Sequence, residues 1–575
     1  MTQTVYTAPR YPMPAGKSAG RAEEGLAAFY TPRKVAQLLT DWAIVDSKSL
    51  VLDPSYGGCA FLNAAFLSLK EKGSLRPEKQ IFGVDIDPAA PKYLRDLIAA
   101  GASPSQYISQ DFFEVSPQHF GVPLFDAVVG NPPYIRYHDI PESLQKNAEV
   151  RLARFGIRVS GRASYWASFL LYSMQFLRRG GRLAMVLPGA LLHTDYSAHV
   201  RELLIGHFET VTIHLLQERI FEGTQEESVI LCADGAGKRN RAVRINHAAT
   251  VEELSRAFAD ARLKAVTVDD TGGDGGWLRA TIDRSALDVY DGLTDGPGVV
   301  RLGGWVETRI GVVTGNNAYF ILSQSERGRR GIGEEFFVPV LKRPAYVTGL
   351  AATDRDLRVI EKQGKDYLLL NPPPELRQMP APLRKYIEEG EESGVHLAWK
   401  CKCRTPWYVV PHTSVPEAFI PCMSASWPRV IANRSGYTCT NNIIRLAWKE
   451  KRPAADWTRL ALGTLSTFSQ LSAELVGRSY GGGVLKLEPT ELTRLAVPLV
   501  PREEAAALAR QVDALLRRKE QALATAAVDE ALLGSLPGLS KAKLVLLRAA
   551  RDRLFLRRRQ HRNDATRIVE AGGGG

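Results

Sequence analysis

Asn131-Pro132-Pro133-Tyr134 is the segment whose residue types most directly suggest chemistry. Two prolines stiffen a turn and disfavour helix for the residue before each. Asn131 supplies a side-chain oxygen, Pro132 a carbonyl and Tyr134 an aromatic face. Two acceptors so placed suit the hydrogens of an exocyclic amine, whose lone pair is delocalised into its ring. They favour a tetrahedral nitrogen and the positive charge that develops on it, which is stabilisation by preorganised dipoles. Tyr134 can stack on the ring. The bland alternative is a rigid turn after a strand. Asn371-Pro372-Pro373-Pro374 carries the same tripeptide without the aromatic or an upstream glycine turn, and it reads as an ordinary loop.

A second group lies upstream. Asp53-Pro54-Ser55-Tyr56-Gly57-Gly58-Cys59 ends one expected strand and opens a helix. Glycines there let the backbone approach a ligand at the carboxyl edge of a sheet. The dinucleotide fingerprint GxGxxG is absent. Asp85 ends the next expected strand and can accept both ribose hydroxyls. Asp111 follows the expected strand Tyr107–Ser109 and could accept from an adenine amino group, with Phe112 against the ring. A strand-end aspartate alone is commonly a turn residue. Three in order suggest a nucleoside site, and an adenosine-bearing cofactor without a pyrophosphate cradle suggests S-adenosylmethionine.

The elements that must position these groups are short β-rich runs separated by helical stretches. The runs are 49–53, 80–85, 125–130, 181–187, 210–216 and 228–232, with helical patterns at 60–72, 88–100 and 163–178. Such alternation predicts a doubly wound α/β sheet. Four segments are expected: a flexible leader over 1–28, an α/β domain over 29–270, a mixed α+β domain over 277–500, and a basic helical segment over 501–575. Gly272–Gly276 reads as a linker.

The 575 residues include 45% hydrophobic and 24% charged residues, a globular mix that excludes a mainly disordered chain or a rod. The formal net charge of +12 favours a polyanionic partner. Six cysteines are too sparse for a disulfide scaffold. The first residues lack the apolar core of a secretory signal, and the longest apolar run, 165–177, is too short to span a bilayer. These features predict a cytoplasmic protein, with no membrane and no metal. Cys401 and Cys403, with Cys422 and Cys439, do not have the spacing of a zinc finger or ribbon.

These motifs resemble the γ-class N6-adenine-specific DNA methyltransferases of restriction–modification type. Tyr30-Thr31-Pro32 is similar to that family's N-terminal cofactor motif, and the Asp53, Pro54, Ser55 and Gly57 stretch to its glycine motif. Asp85-Ile86 resembles its ribose acid, Asp111-Phe112 its adenine contact, and Asn131–Tyr134 its catalytic motif, with Asn131 also beside the cofactor. Phe221 matches its second base-stacking aromatic. Cys59 stands where a glycine is common. The resemblance continues through 309–318, 404–408 and 477–489. It implies a Rossmann-like methyltransferase domain, a target-recognition domain, and direct methyl transfer from S-adenosylmethionine to an adenine flipped out of double-stranded DNA. A separately encoded restriction endonuclease is the partner such a system implies.

Asn-Pro-Pro-Tyr also occurs in methyltransferases of protein glutamine and of ribosomal RNA bases, and a modification subunit that needs a partner is a further alternative. The long second half argues for DNA reading. There Arg404, Trp407, Arg478, Tyr480 and Lys486 interleave basic groups with aromatics, a mix suited to phosphates and bases. The basic run 541–567 could grip DNA or form a solvated helix face.

Overall fold

The computed structural model describes residues 31–560 except 136–138, 159–163, 195, 217, 219, 222–227, 240–241, 260–264, 268–275, 412 and 481–482. Tyr30 and most of the expected glycine linker lie outside the described residues.

The first half is built on nine strands: β1 (Val51–Asp53), β2 (Ile81–Asp85), β3 (Tyr107–Ser109), β4 (Phe125–Gly130), β5 (Leu177–Pro188), β6 (Thr210–Leu216), β7 (Ser228–Asp234), β8 (Ala242–Ala248) and β9 (Ala265–Thr267). They are ordered β3-β2-β1-β4-β5-β7-β6-β8-β9. The first five are mutually parallel, and β7 runs antiparallel between β5 and β6. The inner strands are nearly continuous apolar runs because both faces of the sheet are covered. Helix α1 (Arg33–Ala43) buries Val35, Ala36, Leu39 and Ala43 and packs on α2 (Ala60–Glu71).

The order reverses between β1 and β4. In an open α/β sheet, a crevice forms there beyond the carboxyl ends of the strands. Asp53, Asp85, Asp111 and Asn131 all lie at or just past the carboxyl ends of parallel strands, so the topology brings them to one edge.

The expected helix at 88–100 is broken. Pro91 falls inside it, and the segment forms a 3-10 turn, Ala90–Leu94, before a short helix, Arg95–Ala99. The expected helix at 163–178 stops at Ser173 because β5 begins at Leu177, earlier than expected.

The second half centres on helix Thr467–Val476, all of whose residues are buried. A five-stranded sheet, with Val306–Ile310 and Ile443–Trp448 at one side, packs near it. A smaller sheet joins Met423–Ser424 to the hairpin Arg478–Tyr480/Val484–Lys486. Residues from Leu278 to Leu554 share one hydrophobic cluster, so the boundary expected at 500 falls within a continuous core.

Three helices follow: Arg502–Arg517, Gln521–Ser535 and Lys541–Gln560. On the last, Leu544, Leu547, Arg551, Leu554 and Arg558 recur every three or four residues and form its inner stripe. The solvated face expected of this basic run is therefore only one side of it. No helix among the described residues is long and apolar enough to cross a membrane.

Candidate active site

A cleft of about 1200 Å³, open to solvent, lies over the carboxyl edge of β1–β4. Thr31, Asp53, Pro54, Ser55, Gly57, Asp85, Ile86, Asp111 and Phe112 line it, as do Asn131, Pro132, Pro133 and Tyr134. All the expected cofactor and catalytic residues except Tyr30 are thus brought to one cavity.

The turn after β1 is held by its own acids. Asp53 accepts from the Ser55 N–H at 3.0 Å, and Asp85 accepts from the Gly57 N–H at 2.7 Å and the Asp87 N–H at 2.8 Å. Gly57 takes φ +43°, and Cys59 takes φ +61° at the start of α2. A left-handed conformation explains why glycine suits the Cys59 position. The Ser55 hydroxyl donates to the Asn131 carbonyl at 3.2 Å, joining this turn to the one after β4. A β-carbon on Gly130 would stand 3.0 Å from Asp53 Oδ1 and 3.3 Å from Pro54 Cδ, so a larger residue there would press on the turn after β1.

Asp111 accepts from the Phe113 N–H at 3.1 Å and from Asn147 Nδ2 at 2.9 Å. Asn147 lies on helix Glu142–Ala153 and was not legible as a site residue, since nothing in its local pattern sets it apart. Tyr93, Leu144, Tyr165 and Phe169 also line the cleft and were missed. Aromatic and aliphatic residues in a helix read as core.

Burial governs the acids. It pushes the Asp53 carboxyl up to about 8, against the Ser55 hydrogen bond, with the Asp85 charge adding to the shift. Burial also raises Asp85 and Asp111. Desolvated carboxyls gathered in one cleft mark a functional site and suit a cationic or hydroxyl-rich ligand.

Tyr134 meets Phe221 edge to face, with ring centroids 6.4 Å apart. The second expected aromatic is therefore beside the first, although Phe221 itself is buried. The Asn371–Pro374 turn is closed internally: Asn371 N–H donates to Phe336 O at 2.8 Å and the Tyr408 hydroxyl to Pro374 O at 2.7 Å.

The residues expected on DNA are engaged within the protein. Arg404 donates to the carbonyls of Val313 and Thr314, the latter at 2.9 Å. Trp407 donates to Glu391 at 2.9 Å and packs on Tyr319 and Phe320. Arg478 and Lys486 face each other across the hairpin. Lys486 pairs with Glu488 at 2.7 Å, and Arg478 pairs with both Glu491 and Glu488. Tyr480 lies on the same hairpin, and its side chain is outside the described set. Among the described residues, no group of three or more His, Cys, Asp or Glu is placed to hold a metal ion.

A doubly wound sheet in which only β7 and β9 run against the other strands, and an Asn-Pro-Pro-Tyr turn facing acids at its switch point, define a Rossmann-like methyltransferase domain. Residues 13–263 match the family described as N-6 DNA Methylase, and 274–533 match the C-terminal domain of the type II methyltransferase M.Eco57I. The type II methyltransferase M.AccI of Acinetobacter calcoaceticus is 23% identical over 488 residues, covering 81% of this chain and 84% of the relative. M.XamI of Xanthomonas campestris pv. amaranthicola is 23% identical over 495 residues, covering 84% and 86%. The fold is similar to that of the type IIL restriction–modification enzyme MmeI, solved in complex with DNA. That likeness has TM-score 0.54 and 12% identity, over 91% of this chain and 75% of that one. The chain belongs to the N6-adenine DNA methyltransferases of restriction–modification type.

Proposed function

We propose that this chain is a γ-class, site-specific methyltransferase that moves the methyl group of S-adenosylmethionine to N6 of an adenine flipped out of duplex DNA. The observation that carries the reading is the Ser55–Asn131 hydrogen bond, which fixes the amine-binding turn against the cofactor turn. The motif order supports the γ class, with the recognition region last. The proposed setting is a prokaryotic cytoplasm, with a cognate endonuclease encoded separately.

The cleft fits the cofactor. Asp85 would accept from ribose hydroxyls, Asp111 with Phe112 would hold the adenine, and Asp53 would lie near the cationic end, all of them residues that line the cleft. When bound, the cofactor supplies an electrophilic methyl on a sulfonium. The Asn131 side-chain oxygen and the Pro132 carbonyl accept the two hydrogens of the target amine. As the N–C bond forms and the S–C bond breaks, the nitrogen becomes tetrahedral and cationic, and those dipoles stabilise it. One amine proton then leaves to solvent. Tyr134, backed by Phe221, stacks on the flipped base. Arg404, Trp407, Arg478 and Lys486 hold the loops of the recognition region in shape, and Tyr480 shares the hairpin of Arg478 and Lys486.

The test is long-read sequencing of DNA from a methylation-deficient host expressing the chain, beside an Asn131→Ala control. N6-methyladenine at one recurrent motif is expected, reduced by about 10²–10³ or more in the control while DNA binding persists. No modified adenine, despite folded protein that binds S-adenosylmethionine, would point to an RNA or protein acceptor, or to a subunit that needs a partner.

A further inference from the structure

Arg558 lies on the inner stripe of the last helix and is 3% exposed. A buried guanidinium must satisfy its donors or carry a large desolvation cost. Arg558 satisfies them on three separate segments. Its Nε and a terminal nitrogen grip Glu474 at 3.1 and 2.8 Å, and Glu474 is itself 3% exposed on its side chain. The terminal nitrogens also donate to Ser426 O at 3.0 Å, to Ala425 O at 3.5 Å and to Gly483 O. Trp427 closes the group, donating to Glu474 at 2.9 Å and lying 4.6 Å from the Phe555 ring.

Two of the segments that Arg558 joins are the two sides of one small sheet, and the third is the central helix that carries Glu474. Ala425 and Ser426 continue from Met423–Ser424, which pairs with Val484–Lys486 of the hairpin. Gly483 sits in the hairpin's tight turn with φ +72°. A β-carbon there would meet the Arg558 carbonyl at 2.9 Å and the Arg559 Cα at 3.2 Å, so the turn rests directly on the last helix. On the same helix Arg557 lines a small cavity with His193 of the methyltransferase domain and Ser479 of the hairpin. The Arg557 guanidinium, after burial itself, helps keep the His193 imidazole neutral. The last helix therefore holds the hairpin through Arg558 and, through Arg557, borders a cavity that the methyltransferase domain also lines.

We propose that Arg558 is a positioning residue for target recognition, locking the 423–426 segment and Gly483 of the hairpin onto the C-terminal helix and so fixing the shape in which the recognition region meets DNA. This rests on the reading of the second half as the DNA-recognition region. The guanidinium's planar fork reaches several carbonyls at once, which a lysine ammonium cannot reproduce.

The test uses the full-length chain with three variants: Arg558→Lys, Arg558→Met, and Arg558→Met combined with Glu474→Met. The double variant leaves no unpaired buried charge, so it separates folding from positioning. For the folded double variant, S-adenosylmethionine affinity and kcat at saturating DNA are expected near the wild-type values. KM for DNA is expected to rise about tenfold, equivalent to about 1.4 kcal/mol of lost binding, and the genomic methylation map should spread to near-cognate sites. Arg558→Lys should restore folding without restoring the map. A folded double variant with wild-type KM and an unchanged map would overturn the proposal. So would a parallel fall of every parameter with an unchanged map, which is the mark of a merely structural residue. A wild-type chain that leaves DNA adenine unmodified would instead sink the underlying reading, and this proposal with it.

Discussion

The Ser55 hydroxyl donates to the Asn131 carbonyl across 3.2 Å, and through that bond the turns after β1 and β4 act as one piece. The first turn carries the groups proposed for the cofactor and the second those proposed for the base. Their separation sets the distance between methyl donor and amine, and transfer rates fall steeply when reacting atoms are misplaced. Ser55→Ala removes one partly buried hydrogen bond, worth about 1 kcal/mol of stability. It is expected to slow single-turnover methylation by about tenfold while changing cofactor affinity less. An unchanged single-turnover rate would mean that other contacts hold the two turns together.

The acids of the cleft make stability depend on pH. An unfolded Asp53 loses its proton near pH 4, about the ordinary carboxylate value, whereas in the folded chain burial holds the proton up to about 8. Between those values the folded state binds more protons, so unfolding free energy falls as pH rises. The contribution is fully present below about pH 4 and lost by about pH 8. Asp85 and Asp111, also raised by burial, act in the same direction. Asp53→Asn keeps an oxygen for the Ser55 N–H and removes one titration. Thermal melts of the cofactor-free chain should show wild type losing ground to Asp53→Asn as pH rises from about 5 to about 8. Parallel curves would show that Asp53 is ionised throughout.

Legibility followed burial. β1, β2 and β4 were readable because parallel strands covered on both faces are nearly all apolar, and each ended on, or one residue before, a group with usable chemistry. β8 was missed because Arg244, Asn246 and His247 interrupt it. Asn246 is buried and paired with His214 at 3.1 Å, a long-range contact with no local signature. The cleft residues carried by turns were found from sequence, since glycine, proline and aspartate there have few other uses. Asn147 and Tyr165 sit on helices, where neither type is distinctive, and only the packing of those helices over the strand ends brings them to the site. The pairing of charges was not legible either. The residue types around 478–488 were right for DNA, but the hairpin folds Glu488 and Glu491 back onto the basic side chains. The stripe that turns Arg551 and Arg558 inward was present in the sequence as a three–four spacing shared with Leu544, Leu547 and Leu554.

Arg478 separates a framework role from direct DNA contact. Its guanidinium pairs with Glu491, whose side chain is 2% exposed, and with Glu488 at 3.9 Å. Replacing it by alanine leaves the buried Glu491 carboxylate with the Glu488 N–H, at 2.9 Å, as its remaining described hydrogen bond. A buried acceptor deprived of its cation destabilises by about 1–2 kcal/mol once the partial exposure of Arg478 is discounted. Arg478→Ala should therefore lower the melting temperature of the whole chain and leave the salt dependence of DNA binding unchanged. A phosphate contact behaves differently: its loss leaves the melt alone and reduces the slope of log affinity against log salt by about one. Measuring both quantities on the same preparation decides between the roles. The Glu491→Gln partner variant removes the acid's charge while keeping its oxygen, so it should melt above Arg478→Ala if the ion pair, rather than DNA, is what Arg478 serves.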